Sequence, residues 1–128
     1  MSKTIQAAQA PKFPLPFSHA VVAGDFVYVS GQVGVDPATR EVAGDTIEAQ
    51  AEQCLKNIEL ILRETGLTLD HIVKINAYLL RPSDIPAYNR VYERIISVPY
   101  PARTTVQSDI APYLIEVDAV AYAPASRG

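Results

Sequence analysis

The stretch DTIEAQAEQCLKNIELILRETG, Asp45–Gly66, decides the fold. Ile47, Ala51, Leu55, Ile58 and Leu62 recur at steps of three and four, so a helix over about 46–65 carries one apolar stripe and an opposite polar face. Asp45 stands as its N-cap with Glu48 three residues on, the capping-box spacing. Gly66 suits the position after the last turn, where a positive φ is wanted. A helix with a single stripe needs a surface to cover, and the flanking sequence supplies strands. Downstream, Ile72–Leu80 alternates, with Val73, Ile75, Ala77 and Leu79 on one face and Lys74, Asn76, Tyr78 and Leu80 on the other. Upstream, His19–Val22 and Phe26–Gly31 read as a hairpin around Ala23-Gly24-Asp25. Gln32–Val35 follows as a third strand that ends in the turn Asp36-Pro37-Ala38-Thr39.

A second helix is predicted over about 84–97, started by Ser83 with Pro86 in its first turn. Ile85, Tyr88, Tyr92, Ile95 and Ile96 form its buried side, and Pro99 and Pro101 end it. Arg103–Ser108 and Leu114–Ala123 close the chain as strands, while Pro11, Pro14 and Pro16 keep residues 1–18 extended and irregular. The order β-β-β-α-β-α-β-β predicts one α+β domain over residues 1–128, a mixed β-sheet with both helices packed on one face. The other face carries Tyr78, Val120 and Tyr122, too apolar for full exposure, so an oligomer is expected.

Composition narrows the function classes. A chain of 128 residues buries one core, and a formal charge of −3 argues against a nucleic-acid binder. No apolar run approaches the roughly 20 residues that span a bilayer, and the N-terminus lacks a signal-peptide core, so a soluble protein of the cytoplasm is expected. The single cysteine, Cys54, excludes an intrachain disulfide and falls on the apolar side of the first helix, as a packed thiol would. His19 and His71 stand far apart, outside any ligand-spaced cluster, so no metal site is predicted and both histidines read as surface or locally bonded.

Candidate chemistry lies in the last third. Arg103 follows a proline-set bend in Tyr100-Pro101-Ala102-Arg103-Thr104-Thr105-Val106, and Glu116 sits in the apolar strand Leu114-Ile115-Glu116-Val117-Asp118-Ala119-Val120. A guanidinium clamps a carboxylate through two parallel hydrogen bonds, and a nearby carboxylate can hold or activate a water. Strand periodicity puts Arg103 with Thr105, and Glu116 with Asp118. If the two strands are neighbours, Arg103 meets an acid across the ladder; a surface ion pair there would be worth only about 0–1 kcal/mol. Ser30-Gly31-Gln32 ends a strand, where Gly31 lets a ligand approach the backbone or simply marks a bend. Asn89 follows the buried Tyr88 and on its own reads as a surface residue.

Taken in order, several fragments form one pattern. They are Ser30-Gly31-Gln32 after Phe-Val-Tyr-Val, Asp36-Pro37 with Glu41-Val42, Ile72-Val73-Lys74, Tyr88-Asn89-Arg90-Val91-Tyr92, Pro101-Ala102-Arg103 and Ile115-Glu116-Val117. This pattern, running from Thr4-Ile5 to Tyr122, resembles the RidA (YjgF) family of reactive intermediate deaminases. The resemblance implies a chorismate-mutase-like α+β fold assembled as a homotrimer, with ligand sites in the clefts between subunits. It implies hydrolysis of 2-imino and 2-enamino acids such as 2-aminoacrylate to 2-oxo acids and ammonia, with no metal or organic cofactor. Arg103 matches the arginine that binds the substrate carboxylate, and Glu116 the glutamate that holds the attacking water, as general base or as orienting group. Ser30 and Gly31 match the strand end that lines the pocket, and Asn89 a helix asparagine. Phe17 stands where the archetype has a tyrosine, Thr105 where it often has cysteine, and Thr104 where it has a small Ser, Ala or Cys; Phe17 and the two threonines would reshape the pocket and leave the clamp in place. The resemblance also admits an aminomuconate-type deaminase of aromatic catabolism, or a non-catalytic trimer that binds small carboxylates or client proteins. Ribonuclease activity, also attached to the family, ranks last because the chain is acidic and has no basic aromatic stripe.

Overall fold

A computed structural model describes residues 2–124. The strands are β1 (Ser2–Ile5), β2 (Ala20–Ala23), β3 (Phe26–Val33), β4 (Ile72–Leu79), β5 (Ala102–Gln107) and β6 (Ile115–Tyr122), and the helices are α1 (Ile47–Arg63) and α2 (Ile85–Ile95). They build one six-stranded sheet in the order β1-β2-β3-β6-β4-β5. All neighbours run antiparallel except β4 and β5, which are parallel, so the sheet is mixed as the sequence predicts.

The alternation of β6 shows why the fold has two unlike faces. Ile115, Val117, Ala119 and Ala121 are buried beneath the helices, while Glu116, Asp118, Val120 and Tyr122 point the other way. Ile75, Ala77 and Leu79 of β4 join the buried side. Helix α1 lies across β3 and β6 and packs against α2. Its stripe is buried as predicted, and Leu55, Ile58 and Leu62 are each worth about 1.5–3 kcal/mol of burial. The stripe also contains Gln50, Cys54 and Asn57, all buried. Asn57 Nδ2 donates to the carbonyls of Val33 (3.2 Å) and Val35 (2.9 Å), and Cys54 Sγ donates to that of Gln32 (3.2 Å). Gln50 donates to Gly44 O (2.8 Å) and accepts from Leu114 N–H (2.9 Å). These side chains satisfy backbone groups where β3 leaves the sheet and β6 enters it.

Several local expectations are corrected. Residues 2–5 form an edge strand on β2 rather than irregular chain. Gln32 and Val33 continue β3 instead of starting a third strand; a register shift between Val29 and Gln32 absorbs Ser30 and Gly31, and Val35 makes only an isolated bridge to Val42. The N-cap of α1 is Thr46, whose Oγ1 accepts from Ala49 N–H at 3.2 Å, so the Asp45–Glu48 box does not form. Gly66 does turn the chain out of α1, at φ 79°. Val73 is exposed instead of sharing the face of Ile75, because the β4–β6 register slips between Ile72 and Lys74. Helix α2 is preceded by a 3₁₀ turn at Pro82–Asp84, ends at Ile95 and buries Val91 besides Tyr88 and Tyr92.

On the open face, Phe26, Tyr28 and Tyr122 cluster, with Phe26 5.1 Å from Tyr122 and 6.3 Å from Tyr28 between ring centroids. They remain 39%, 47% and 40% exposed. Among the described residues no helix is long and apolar enough to cross a membrane.

Candidate active site in two halves

Arg103 lies on β5 in register with Ile75 of β4, and Ile75 is fully buried under the helices, so the arginine is on the helix side of the sheet. Its Nη2 donates to Asn89 Oδ1 at 2.6 Å. The guanidinium carbon sits 5.1 Å from the Tyr88 ring centroid and 4.9 Å from that of Tyr92, a cation–π arrangement worth about 0.5–2 kcal/mol. Helical spacing explains the cradle, since Tyr88, Asn89 and Tyr92 fall on one side of α2. Burial pushes the Tyr88 and Tyr92 phenols up from their usual values, with the Arg103 charge working in the opposite direction. Among the described residues no carboxylate pairs with Arg103. A cleft of about 410 Å³ opens over it, lined by Asn89, Tyr92, Glu93, Tyr100, Pro101 and Arg103. Five N–H donors, one of them spent on Asn89, leave a fork for a carboxylate. Thr105 follows on the same face, half-buried, its Oγ1 without a hydrogen-bond partner among the described residues.

Glu116 belongs to the other face. It pairs with Tyr78 of β4 and Val33 of β3, and lines a cavity of about 260 Å³ with Phe13, Leu15, Phe17, Gly31, Val33 and Tyr113. Gly31 makes room for it: a Cβ there would stand 2.9 Å from Glu116 Cδ, so any side chain would displace the carboxylate. Burial, followed by the nearby Asp118 charge, raises the Glu116 carboxyl above the ordinary carboxylate value. A carboxylate so placed takes a proton more readily than one in water.

The segment carrying Phe17 is tied down on both sides. Ser30 Oγ donates to Ser18 O at 2.6 Å, which spends the serine on scaffold rather than on the cavity. His19 is buried; its Nδ1 accepts from Ala7 N–H (2.9 Å), so Nε2 carries the proton donated to Pro11 O (2.8 Å).

The expected meeting of Arg103 with an acid across a ladder is overturned. β5 pairs with β4 alone, β6 lies between β3 and β4, and Arg103 and Glu116 face opposite sides of the sheet. One chain therefore holds two candidate half-sites, Arg103 with Asn89 at one cleft and Glu116 with Gly31 and Phe17 at the other, which Ser30 braces; Thr105 shares the face of Arg103 outside the residues that line its cleft. The solitary reading of Asn89 as a surface residue is also replaced by its bond to Arg103.

A sequence model of the family described as Endoribonuclease L-PSP matches residues 7–123. The chain belongs to this family, that of RidA. RidA from the Antarctic bacterium Psychrobacter sp. superposes with a TM-score of 0.89 at 39% identity, covering 94% of this chain and 99% of that one. The YjgF gene product of E. coli gives 0.87 at 32% identity, covering 94% and 98%. A RutC family protein of Pyrococcus horikoshii is 36% identical over 124 residues, 95% of this chain and 98% of the relative. A protein of Dermatophagoides farinae named 2-iminobutanoate/2-iminopropanoate deaminase is 34% identical over 104 residues, 81% of each chain.

In this RidA-family chain, sequence reasoning missed Tyr92, Tyr100 and Tyr113 as walls of the two candidate cavities, along with Phe13 and Leu15. Tyr92 carried a signal: it stands four residues after Tyr88, flanking Asn89 on the helix. Phe13 and Leu15 carried none, because their position depends on how His19 and Ser30 pin the N-terminal segment.

Proposed function

We propose that the protein hydrolyses 2-imino acids, and the 2-enamino acids that tautomerise to them, to 2-oxo acids and ammonia without a cofactor. The observation that carries this reading is Arg103, a buttressed guanidinium with no acidic partner among the described residues, opening into a cleft. The named deaminase of D. farinae supports the reaction type. Arg103 holds the substrate carboxylate and thereby fixes the adjacent imine carbon; orientation of this kind supplies much of the rate. A water oxygen bonds to that carbon while Glu116 takes a water proton. That proton passes to nitrogen to give a carbinolamine; Glu116 then takes the hydroxyl proton and delivers it to nitrogen as the C–N bond breaks, so ammonia departs and the carbinol oxygen becomes the 2-oxo group. A dicarboxylate fits less well, since Glu93 borders the cleft.

Both half-sites serve one substrate if they meet between subunits. We read the assembly as a homotrimer with three such clefts, supported by the exposed aromatic cluster on the open face. The lone, buried Cys54 supports a reducing, cytoplasmic setting.

The test is ammonia release, above the spontaneous rate, from imines generated in situ by an amino-acid oxidase. Arg103→Ala and Glu116→Gln should each be inactive as intact oligomers. Hybrids reassembled from an equal mixture of the two should regain about a quarter of wild-type activity, because about one cleft in four draws an intact residue from each side. Activity retained in Arg103→Ala would remove the clamp. Two inactive variants that never complement would remove the shared cleft. Carboxylate binding without turnover would make the protein a binder.

A further inference from the structure

The open face holds a polar cluster that the reaction above does not use. Asp118 lies two residues beyond Glu116 on β6 and shares its face. Asn76 Nδ2 donates to Asp118 Oδ1 at 2.9 Å, and Tyr78 OH donates to Oδ2 at 2.9 Å. Both oxygens thus act as acceptors, the pattern of a carboxylate rather than an acid. The cluster is wired to Glu116 by register, because Tyr78 pairs directly with Glu116, and Asn76 with Asp118. The Tyr78 hydroxyl bonds to Asp118 and leaves its own cross-strand partner, Glu116, without that donor. The bond to Asp118 pushes the Tyr78 phenol up from its usual value, which keeps it a donor.

We propose that Asp118 is a positioning residue for Glu116: clamped by Asn76 and Tyr78, it holds a fixed negative charge one side-chain step along the same face and so adds to burial in making the Glu116 carboxylate a better proton acceptor. The role in catalysis rests on the deaminase reading; the charge coupling itself does not.

Other groups facing Glu116 do not supply that charge. β3 presents Gly31 and Val33, β4 presents Tyr78, and the segments on either side of the cavity present Phe13, Phe17 and Tyr113. Behind the sheet, α1 presents Cys54, whose thiol burial pushes up and keeps neutral. Lys74, further along β4, donates to Thr104 Oγ1 at 2.7 Å. Asp118 is therefore the one fixed anion beside Glu116 among these groups; in a cleft shared between subunits the neighbouring copy's Arg103 works in the opposite direction, equally in wild type and in the Asp118 variants. A nearby like charge makes a carboxylate hold its proton more tightly, which is what a general base requires.

The experiment follows the Glu116 carboxyl carbon by ¹³C NMR across pH in the intact oligomer, with pH profiles of kcat/KM alongside. Asp118→Asn keeps the shape and can still accept from Asn76 while its amide donates to the Tyr78 oxygen, so the fold is preserved. In this variant the Glu116 titration should move to lower pH, taking the acidic limb of kcat/KM with it. Asp118→Ser, a second neutral variant, should shift it in the same direction, and Asp118→Glu should restore the wild-type position. A Glu116 titration that stays put in both neutral variants overturns the proposal. A titration that moves in a protein with no imine turnover upholds the coupling and instead refutes the deaminase reading.

Discussion

Gly31→Ala puts the close approach of β3 to Glu116 to a quantitative test. A Cβ built on Gly31 lies 2.9 Å from Glu116 Cδ and 3.2 Å from Cγ, and nearer still to Oε2. Carbon atoms sit comfortably at about 3.5–4.0 Å, so the carboxyl group must retreat by about 1 Å. The yielding atoms end a flexible side chain, so the cost to folding is small, about 1 kcal/mol for a shifted rotamer. The cost to chemistry is larger. A displacement of about 1 Å in a reacting group costs roughly a hundredfold, or about 2.7 kcal/mol of barrier. Arg103 is on the other face and is untouched, so the loss should fall on kcat and leave KM near its wild-type value. Steady-state ammonia release from oxidase-generated imines reads both constants, with light scattering to confirm the oligomer and a melting curve to confirm the fold. Wild-type kcat in a folded Gly31→Ala oligomer would refute the assigned placement of Glu116. A rise in KM alone would show that Gly31 serves binding instead.

Two further outcomes test the local physics. Thr46→Ala should cost about 1 kcal/mol by thermal or denaturant unfolding while Asp45→Ala costs little, since the cap bond to Ala49 comes from threonine; equal losses would restore the Asp45 cap. Tyr88→Phe should leave turnover intact and hold or raise stability by about 1 kcal/mol, because the tyrosine is fully buried and its hydroxyl has no partner among the described residues; a clearly lower melting temperature would reveal one.

Where a single periodicity governed an element, the sequence could be read directly. The α1 stripe, the alternation of β6 and the exposed side of Tyr78, Val120 and Tyr122 all follow from it. Pairing could not be read in the same way. β5 and β6 are consecutive, and consecutive strands usually neighbour one another, yet β5 joins β4 in parallel and the crossover carries α2 between them. That one pairing determines which face Arg103 occupies, and so separates it from Glu116. Register shifts hid the rest: Val73 changed face at one, and Ser30 and Gly31 were absorbed by another. The N-cap moved by one residue because threonine and aspartate both suit the role and only the backbone turn chooses between them. Arg103, Glu116, Asn89 and Gly31 could be named as candidates through the resemblance, whereas the division of these candidates between the two sides of the sheet was a property of topology alone.

Gln50, Cys54 and Asn57 interrupt an otherwise apolar side of α1, and by hydropathy they look like flaws that leucine would mend. Their hydrogen bonds make them tethers: the helix answers carbonyls at the end of β3 and the amide of Leu114, which leads into β6, as a neighbouring strand would. Gly31 and Glu116 lie within a few residues of these anchor points. A redesign that perfected the stripe would produce a better-looking helix and a loosened wall around Gly31 and Glu116, although none of the three side chains lines that cavity.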